Sequence, residues 1–251
     1  MPDKPYLRKL ESIEDFDVWE VDGKYVRDNV DREFTNFGQH FRFPFIPLRE
    51  FWIDKQFGAD ESRYFIDHMI TEWNLMSEGK SYDYALESAD KLEVKERKKS
   101  ASTKKAEKVV SISPDVVPKN VYKEKLKQFE GVDVWVISGV LVRGLYFIDF
   151  TEGGHHFVYD FIPFNEVWLD DDLNPTERDF VLLHELHERY LMHTGWTYEH
   201  AHHSSSIIEY KCRRDPKQLK ERMAAEIENN KKVISGVPAI VAGNPDVGKK
   251  P

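Results

Sequence analysis

Sliding the chain along itself by 116 residues lays Asp17-Val18-Trp19 on Asp133-Val134-Trp135, Val26-Arg27 on Val142-Arg143 and Phe45-Ile46-Pro47 on Phe161-Ile162-Pro163, with no gap. His68 then meets His184, Glu72 meets Glu188, Leu75-Met76 meets Leu191-Met192 and Gly79 meets Gly195. Across the 79 positions from Asp17 to Lys95, 28 residues are identical to their counterparts. Unrelated sequences would agree at roughly one position in sixteen, so the chain is a duplication. A unit this long and varied is a duplicated domain rather than a solenoid repeat. Whatever half of the chain folds into, the other half must fold into again.

Each copy opens on strand patterns. Asp133-Val134-Trp135-Val136-Ile137 and Val140-Leu141-Val142 flank Ser138-Gly139, where the first copy has Asp22-Gly23, a two-residue hairpin signal. From His155 to Phe161, the residues Phe157, Tyr159 and Phe161 alternate onto one face, which predicts another strand. Glu166 to Asp170 forms a short further one, and Phe157, Tyr159, Phe161 and Trp168 read as core. A helix follows. Asn174 suits its N-cap, Pro175 its first position, and Glu177 the carboxylate position of a capping box. Gly195 supplies the left-handed residue that ends it. Thr197 can cap a second helix to about Arg214, and Asp215-Pro216 starts a third from Lys217 to about Lys232.

The expected fold is therefore α+β, a tandem duplication in which each unit is a small antiparallel sheet followed by two or more helices. The first repeat covers 8–94 and the second 120–232. Between them, 95–119 is rich in lysine and small residues and reads as a basic flexible linker, while 233–251 reads as a loose tail.

The net charge of −9 argues against a nucleic-acid partner, because neutralising phosphates needs a basic face. No apolar run approaches the roughly 18–20 residues that cross a bilayer, and none follows the N-terminus as in a secretory signal. Cys212 is the only cysteine, which excludes an intrachain disulfide and leaves a structural role for the thiol. A reducing, cytoplasmic location is expected.

Eight of the ten histidines lie between His155 and His203. His184 and Glu188 are four apart on the central helix, hence stacked on one face where they can share an ion. Catalytic zinc sites take three protein ligands and keep a position for water. The third is expected to be His202, with His200, His203 and Glu209 as alternatives. His155 and His156, after Gly153-Gly154, read as packed strand residues, with reach to the site from the sheet as the alternative. Two histidines and a glutamate suit zinc, although another divalent ion would also fit. Glu185 borders the same cleft and can act as general base toward water activated by the ion. His187 is an alternative ligand, or an acid for the leaving group.

The order of the strand Glu166-Val167-Trp168-Leu169-Asp170, a capped turn, and Phe180-Val181-Leu182-Leu183-His184-Glu185-Leu186 resembles the minimal core of zincin metallopeptidases. The small members that cleave bacterial and phage regulators are closest in size. The resemblance covers Glu166 to Arg213. It implies His184 as first ligand, Glu185 as base, a protein or peptide substrate, and pairing of that substrate with the strand before the helix. Glu188 stands where the family has its second histidine.

The first copy keeps His68 and Glu72 but has Met69 in place of Glu185 and Leu86 in place of His202, so it is expected to be inactive. The functional expectation is a zinc-dependent hydrolase of the peptidase kind. The alternatives are a non-catalytic metal-binding or protein-interaction module, and a two-domain structural protein in which His184 and Glu188 are a packed polar pair.

Overall fold

A computed structural model of the chain describes residues 5–34, 36–57, 59–113, 116–129 and 131–233. The expected tail therefore lies, beyond Val233, outside the described residues. In chain order the first half contains β1 (Tyr6–Ile13), β2 (Phe16–Val21), α1 (Gly23–Asn29), β3 (Phe37–Gly38), β4 (Glu50–Asp54), α2 (Ala59–Ser77), α3 (Tyr82–Arg97) and α4 (Ala101–Ile112). The second contains β5 (Tyr122–Phe129), β6 (Val132–Ile137), α5 (Gly139–Leu145), β7 (Gly153–His155), β8 (Glu166–Asp170), α6 (Arg178–His193), α7 (Tyr198–Arg214) and α8 (Leu219–Asn230). The fold is α+β, with two four-stranded sheets each followed by helices. Two compact units emerge: residues 1–111 with 140–149, and 112–139 with 150–251.

The two sheets repeat one another strand for strand, in the orders β1-β2-β4-β3 and β5-β6-β8-β7. Trp19 pairs with Trp52 as Trp135 pairs with Trp168. Even the irregularities of the first hairpin recur, between Tyr6 and Arg8 and between Lys9 and Glu11, then between Tyr122 and Glu124 and between Lys125 and Lys127. One polar bracket ties each sheet together. The Tyr6 hydroxyl and Trp52 Nε1 both donate to Glu50, and Tyr122 and Trp168 do the same to Glu166.

Each sheet is mixed rather than purely antiparallel, because β2 runs parallel to β4 and β6 parallel to β8. The cause is Asp22-Gly23, expected as a hairpin turn. Asp22 accepts the Tyr25 N–H at 3.1 Å and caps α1 instead, so the chain crosses over before returning. Asp followed by Gly serves both purposes, and here the glycine is needed for space. A Cβ on Gly23 would lie 1.8 Å from the Asp54 carboxylate, and one on Gly139 would lie 2.2 Å from that of Asp170. Val140-Leu141-Val142 is accordingly helical in α5.

Three further expectations are corrected. The strand expected from His155 to Phe161 stops at His155 and continues as turns, in which Tyr159 is buried while Phe157 and Phe161 are only partly so. The central helix begins at Arg178, because Asn174 Oδ1 takes the Thr176 N–H and hydroxyl in a local turn instead of capping a helix. The segment 95–119 holds the end of α3 and all of α4, where Thr103 and Ala106 are buried; its Ala and Lys residues are good helix formers.

In the second unit α6 lays Leu182, Leu183 and Leu186 against Val134, Val167 and Leu169 of the sheet, with Cys212 and Met223 closing the cluster from α7 and α8. That burial fixes which face of α6 remains for chemistry. Gly195, at φ +99°, ends α6 as expected, with the Trp196 N–H reaching back to the Leu191 carbonyl. Gly79, at φ +84°, ends α2 in the same way.

Candidate metal centre

With its leucine face against the sheet, α6 turns His184 and Glu188 toward α7. Three atoms converge there. His184 Nε2 lies 3.1 Å from His202 Nδ1, His202 Nδ1 lies 2.9 Å from Glu188 Oε2, and His184 Nε2 lies 3.5 Å from the same oxygen. Zinc bonds of about 2.0–2.2 Å put the donor atoms of a tetrahedral site about 3.3 Å apart. The triangle has the dimensions of one face of such a site. His184 and Glu188 are buried, whereas the His202 side chain is 34% exposed, so the cluster meets solvent at its α7 side.

Behind His184 stands Glu209, whose carboxylate accepts from Nδ1 at 2.8 Å. A proton held on Nδ1 leaves Nε2 to face the cluster, as metal-ligating histidines usually require. Glu209 is fixed in turn by Arg213 Nε at 2.9 Å, and Arg213 also pairs with Glu177. Glu209, one of the alternative third ligands, thus meets the Nδ1 side of His184 and is not one of the three converging donors. His200 and His203 are exposed, and His200 bonds Thr197. Of the four alternatives, the fold brings His202 to the pair.

Electrostatics agree with the geometry. Burial alone would raise the Glu188 carboxyl, but contacts with His155, His184 and His202 hold it well below the usual range. Burial would likewise lower His184, yet its bonds to Glu188 and Glu209 raise it well above an ordinary histidine. Without an ion, a proton on His184 balances the carboxylates; an ion binding there would displace it.

A second donor group overlaps the first. His155, Glu185 and Glu188 each offer an atom within 4.8 Å of the others, and all three are buried. His155 Nε2 lies 3.2 Å from Glu188 Oε1, off the line of a well-formed hydrogen bond, and its Nδ1 accepts the Phe157 N–H at 3.3 Å. Gly153 lies close under α6, since a Cβ there would stand 3.0 Å from Val181 Cγ1, 3.1 Å from the Trp168 carbonyl oxygen and 3.2 Å from Glu185 Cγ. His156 lies beside this group rather than in it; burial, with His155, Arg189 and His193 nearby, pushes its pKa down to about 2. Asp170, Asp171 and Asp172 also cluster, but Asp170 Oδ1 accepts the Asp172 N–H within the turn and Asp171 Oδ1 accepts the Gly139 N–H across the fold.

His187 goes elsewhere. Its Nδ1 bonds Glu226 at 2.8 Å and its Nε2 bonds Ser204 at 3.1 Å. The order Glu-His-Ser is that of an acyl-transfer triad, but Ser204 sits inside α7, whose backbone N–H groups are spent on the helix. An oxyanion would find no backbone donor beside it. The trio pins α6 to its neighbouring helices.

The strand before the helix, β8, is enclosed by β6 and β7, so it has no free edge for a substrate backbone. The substrate pairing implied by the zincin resemblance is therefore corrected. The contacts of Glu209 with His184 and of His155 with Glu188 were missed from sequence, although the repeat offset gave a signal by placing them opposite Glu93 and Gln39. No protein family, curated protein or solved structure matches this chain.

Proposed function

We propose that the second unit is a zinc-dependent hydrolase of peptide bonds, with His184, Glu188 and His202 as protein ligands and Glu185 as general base. The observation that carries this reading is the 2.9, 3.1 and 3.5 Å triangle of donor atoms with Glu209 oriented behind His184. A bound zinc ion would supply a Lewis acid and lower the pKa of its water to about 7. The protein's part is to hold the ligands, admit water on the His202 side, and accept a proton at the Glu185 carboxylate. His187, bound to Glu226 and Ser204, takes no part. The peptide class rests on the zincin-like succession of strand, turn and helix; with β8 enclosed, groups other than that strand must recognise the substrate backbone.

Neither a nucleic acid nor a membrane partner is proposed. The chain is acidic, and among the described residues no helix is long and apolar enough to cross a membrane. A buried free thiol at Cys212 suits the reducing cytoplasm.

A second reading is a metal-binding module without turnover. It is favoured by the first unit, which keeps the His68, Glu72 and Glu93 frame with Met69 where the base would be.

Elemental analysis of purified wild type and His184→Ala tests the common premise. The expected result is about one zinc per chain, lost in the variant. Metal-free wild type after zinc addition and dialysis would overturn both readings. Turnover of a peptide library by wild type, abolished in Glu185→Gln with zinc retained, supports the hydrolase; no turnover by the zinc-loaded chain leaves the module.

A further inference from the structure

Four potential ligands crowd the Glu188 carboxylate. Glu188 belongs both to the His184 and His202 group and to the His155 and Glu185 group. A shared carboxylate between two donor sets is the usual sign of a two-ion centre, with ions about 3.5–4 Å apart. The surroundings of the His155 ring lead to a different conclusion.

We propose that His155 is not a ligand but a positioning residue, whose Nε2–H holds Glu188 Oε1 so that Oε2 alone faces the ion, and that the centre takes one ion. This rests on the metal reading given above. A neutral imidazole has one donor nitrogen and one acceptor nitrogen. The Phe157 N–H points at His155 Nδ1 from 3.3 Å, which makes Nδ1 the acceptor and puts the proton on Nε2. A protonated Nε2 has no lone pair for a metal. It has a hydrogen for Glu188 Oε1, 3.2 Å away, and a small ring rotation would align the two.

The first unit performs the same task with a different side chain. Gln39 occupies the position of His155. Its Oε1 accepts the Phe41 N–H at 2.7 Å, and its Nε2 donates to Glu72 at 3.0 Å. Phe41 corresponds to Phe157 and Glu72 to Glu188, so the backbone bond has its equivalent, and the Glu72 bond matches the 3.2 Å approach of His155 Nε2 to Glu188. Gln39 and His155 are both fully buried. An amide nitrogen has no lone pair to give a metal. What the glutamine and the histidine share is an acceptor for the backbone and a donor for the glutamate.

The test is metal stoichiometry and affinity by competition with a chromogenic chelator, on the full chain, using zinc. Wild type and His155→Gln are expected to bind one ion each, with Kd values agreeing within about threefold, because glutamine reproduces the first unit's arrangement. His155→Ala should keep the stoichiometry and weaken binding by about 10–100-fold, as losing a partner of a ligand does. Two ions in wild type, or loss of zinc from His155→Gln as complete as from His184→Ala, would overturn the proposal.

A second measurement stands apart from the hydrolase reading. In the metal-free chain labelled with 15N-histidine, long-range 1H–15N spectra should show His155, assigned by its absence in His155→Gln, as the Nε2–H tautomer. An Nδ1–H tautomer refutes the inference. Should wild type bind no zinc, the metal and hydrolase readings fall, and the tautomer alone decides whether His155 holds Glu188.

Discussion

The two units differ at one corner of an otherwise shared polar frame. In both, a histidine on the first long helix bonds a glutamate on the second: His68 with Glu93 at 2.9 Å, and His184 with Glu209 at 2.8 Å. In both, an arginine one turn further on braces that glutamate and reaches a glutamate near the start of the first long helix: Arg97 with Glu93 and Glu61, Arg213 with Glu209 and Glu177. A buried partner from the sheet edge meets the i+4 carboxylate. The second unit then adds His202 and Glu185 where the first has Leu86 and Met69. Met69 is fully buried, and His68 Nε2 stands 3.8 Å from Glu72 against 3.5 Å for the matching pair. The frame therefore belongs to the fold, and the second unit's additional donor atoms come from three residues changed upon it, His155, Glu185 and His202.

The most severe way to break the contrast is His202→Leu, which gives the second unit the first unit's apolar residue. Structural zinc is worth about 10–16 kcal/mol spread over its ligands, so losing one of three should cost about 4 kcal/mol, roughly a thousandfold in zinc affinity. Chelator competition reads this directly, and a change below tenfold would remove His202 from the ligand set.

Next in size is the pH dependence of the first unit. Burial would lower the His68 pKa, but bonds to Glu72 and Glu93 outweigh it and raise the value to about 10. A raised histidine stabilises most below its unfolded value near 6.5, and that contribution disappears as pH rises through the folded value. Wild type should therefore exceed His68→Gln in thermal stability by a few kcal/mol at pH 6, and the gap should close toward pH 10. A gap that is constant with pH would mean that His68 is neutral.

Glu209→Gln should weaken zinc binding by about 10–100-fold while keeping one ion per chain, since the ligand survives and only its orientation suffers. A loss as deep as that of His202→Leu would instead make Glu209 a ligand. The smallest effect is also the sharpest comparison. Leu86→His should give the first unit a second, weaker zinc site, seen as a rise from about one to about two ions per chain at high zinc. No second ion would show that the 3.8 Å separation is too loose to close around a metal.

Much of this was legible in the sequence, and what was not has physical causes. The offset of 116 residues foretold the twin sheets, and the i, i+4 spacing foretold that His184 and Glu188 would face one way. Gly195 and Thr197 foretold that a second helix would start directly after α6 ends, which put His202 among the candidates. The parallel pairing of β6 with β8 was hidden because an Asp-Gly or Ser-Gly pair can turn a hairpin or start a helix, and only the space taken by Asp54 or Asp170 decides between them. His155 stood 29 residues before His184, on a strand whose end no local pattern marks. Glu209 was visible as a candidate ligand but not as an orienting group, since that difference lies in which nitrogen of His184 it meets.

The frame of the first unit has a consequence for descent. His68, Glu72 and Glu93 stay packed with a proton where the other unit would place an ion, so keeping the fold does not depend on keeping the chemistry. A lineage can then lose or regain a ligand at the position of Leu86 by a change at a single residue, without passing through an unfolded ancestor. Duplication makes that freedom safe, because one copy can drift while its twin keeps its full set of converging donor atoms.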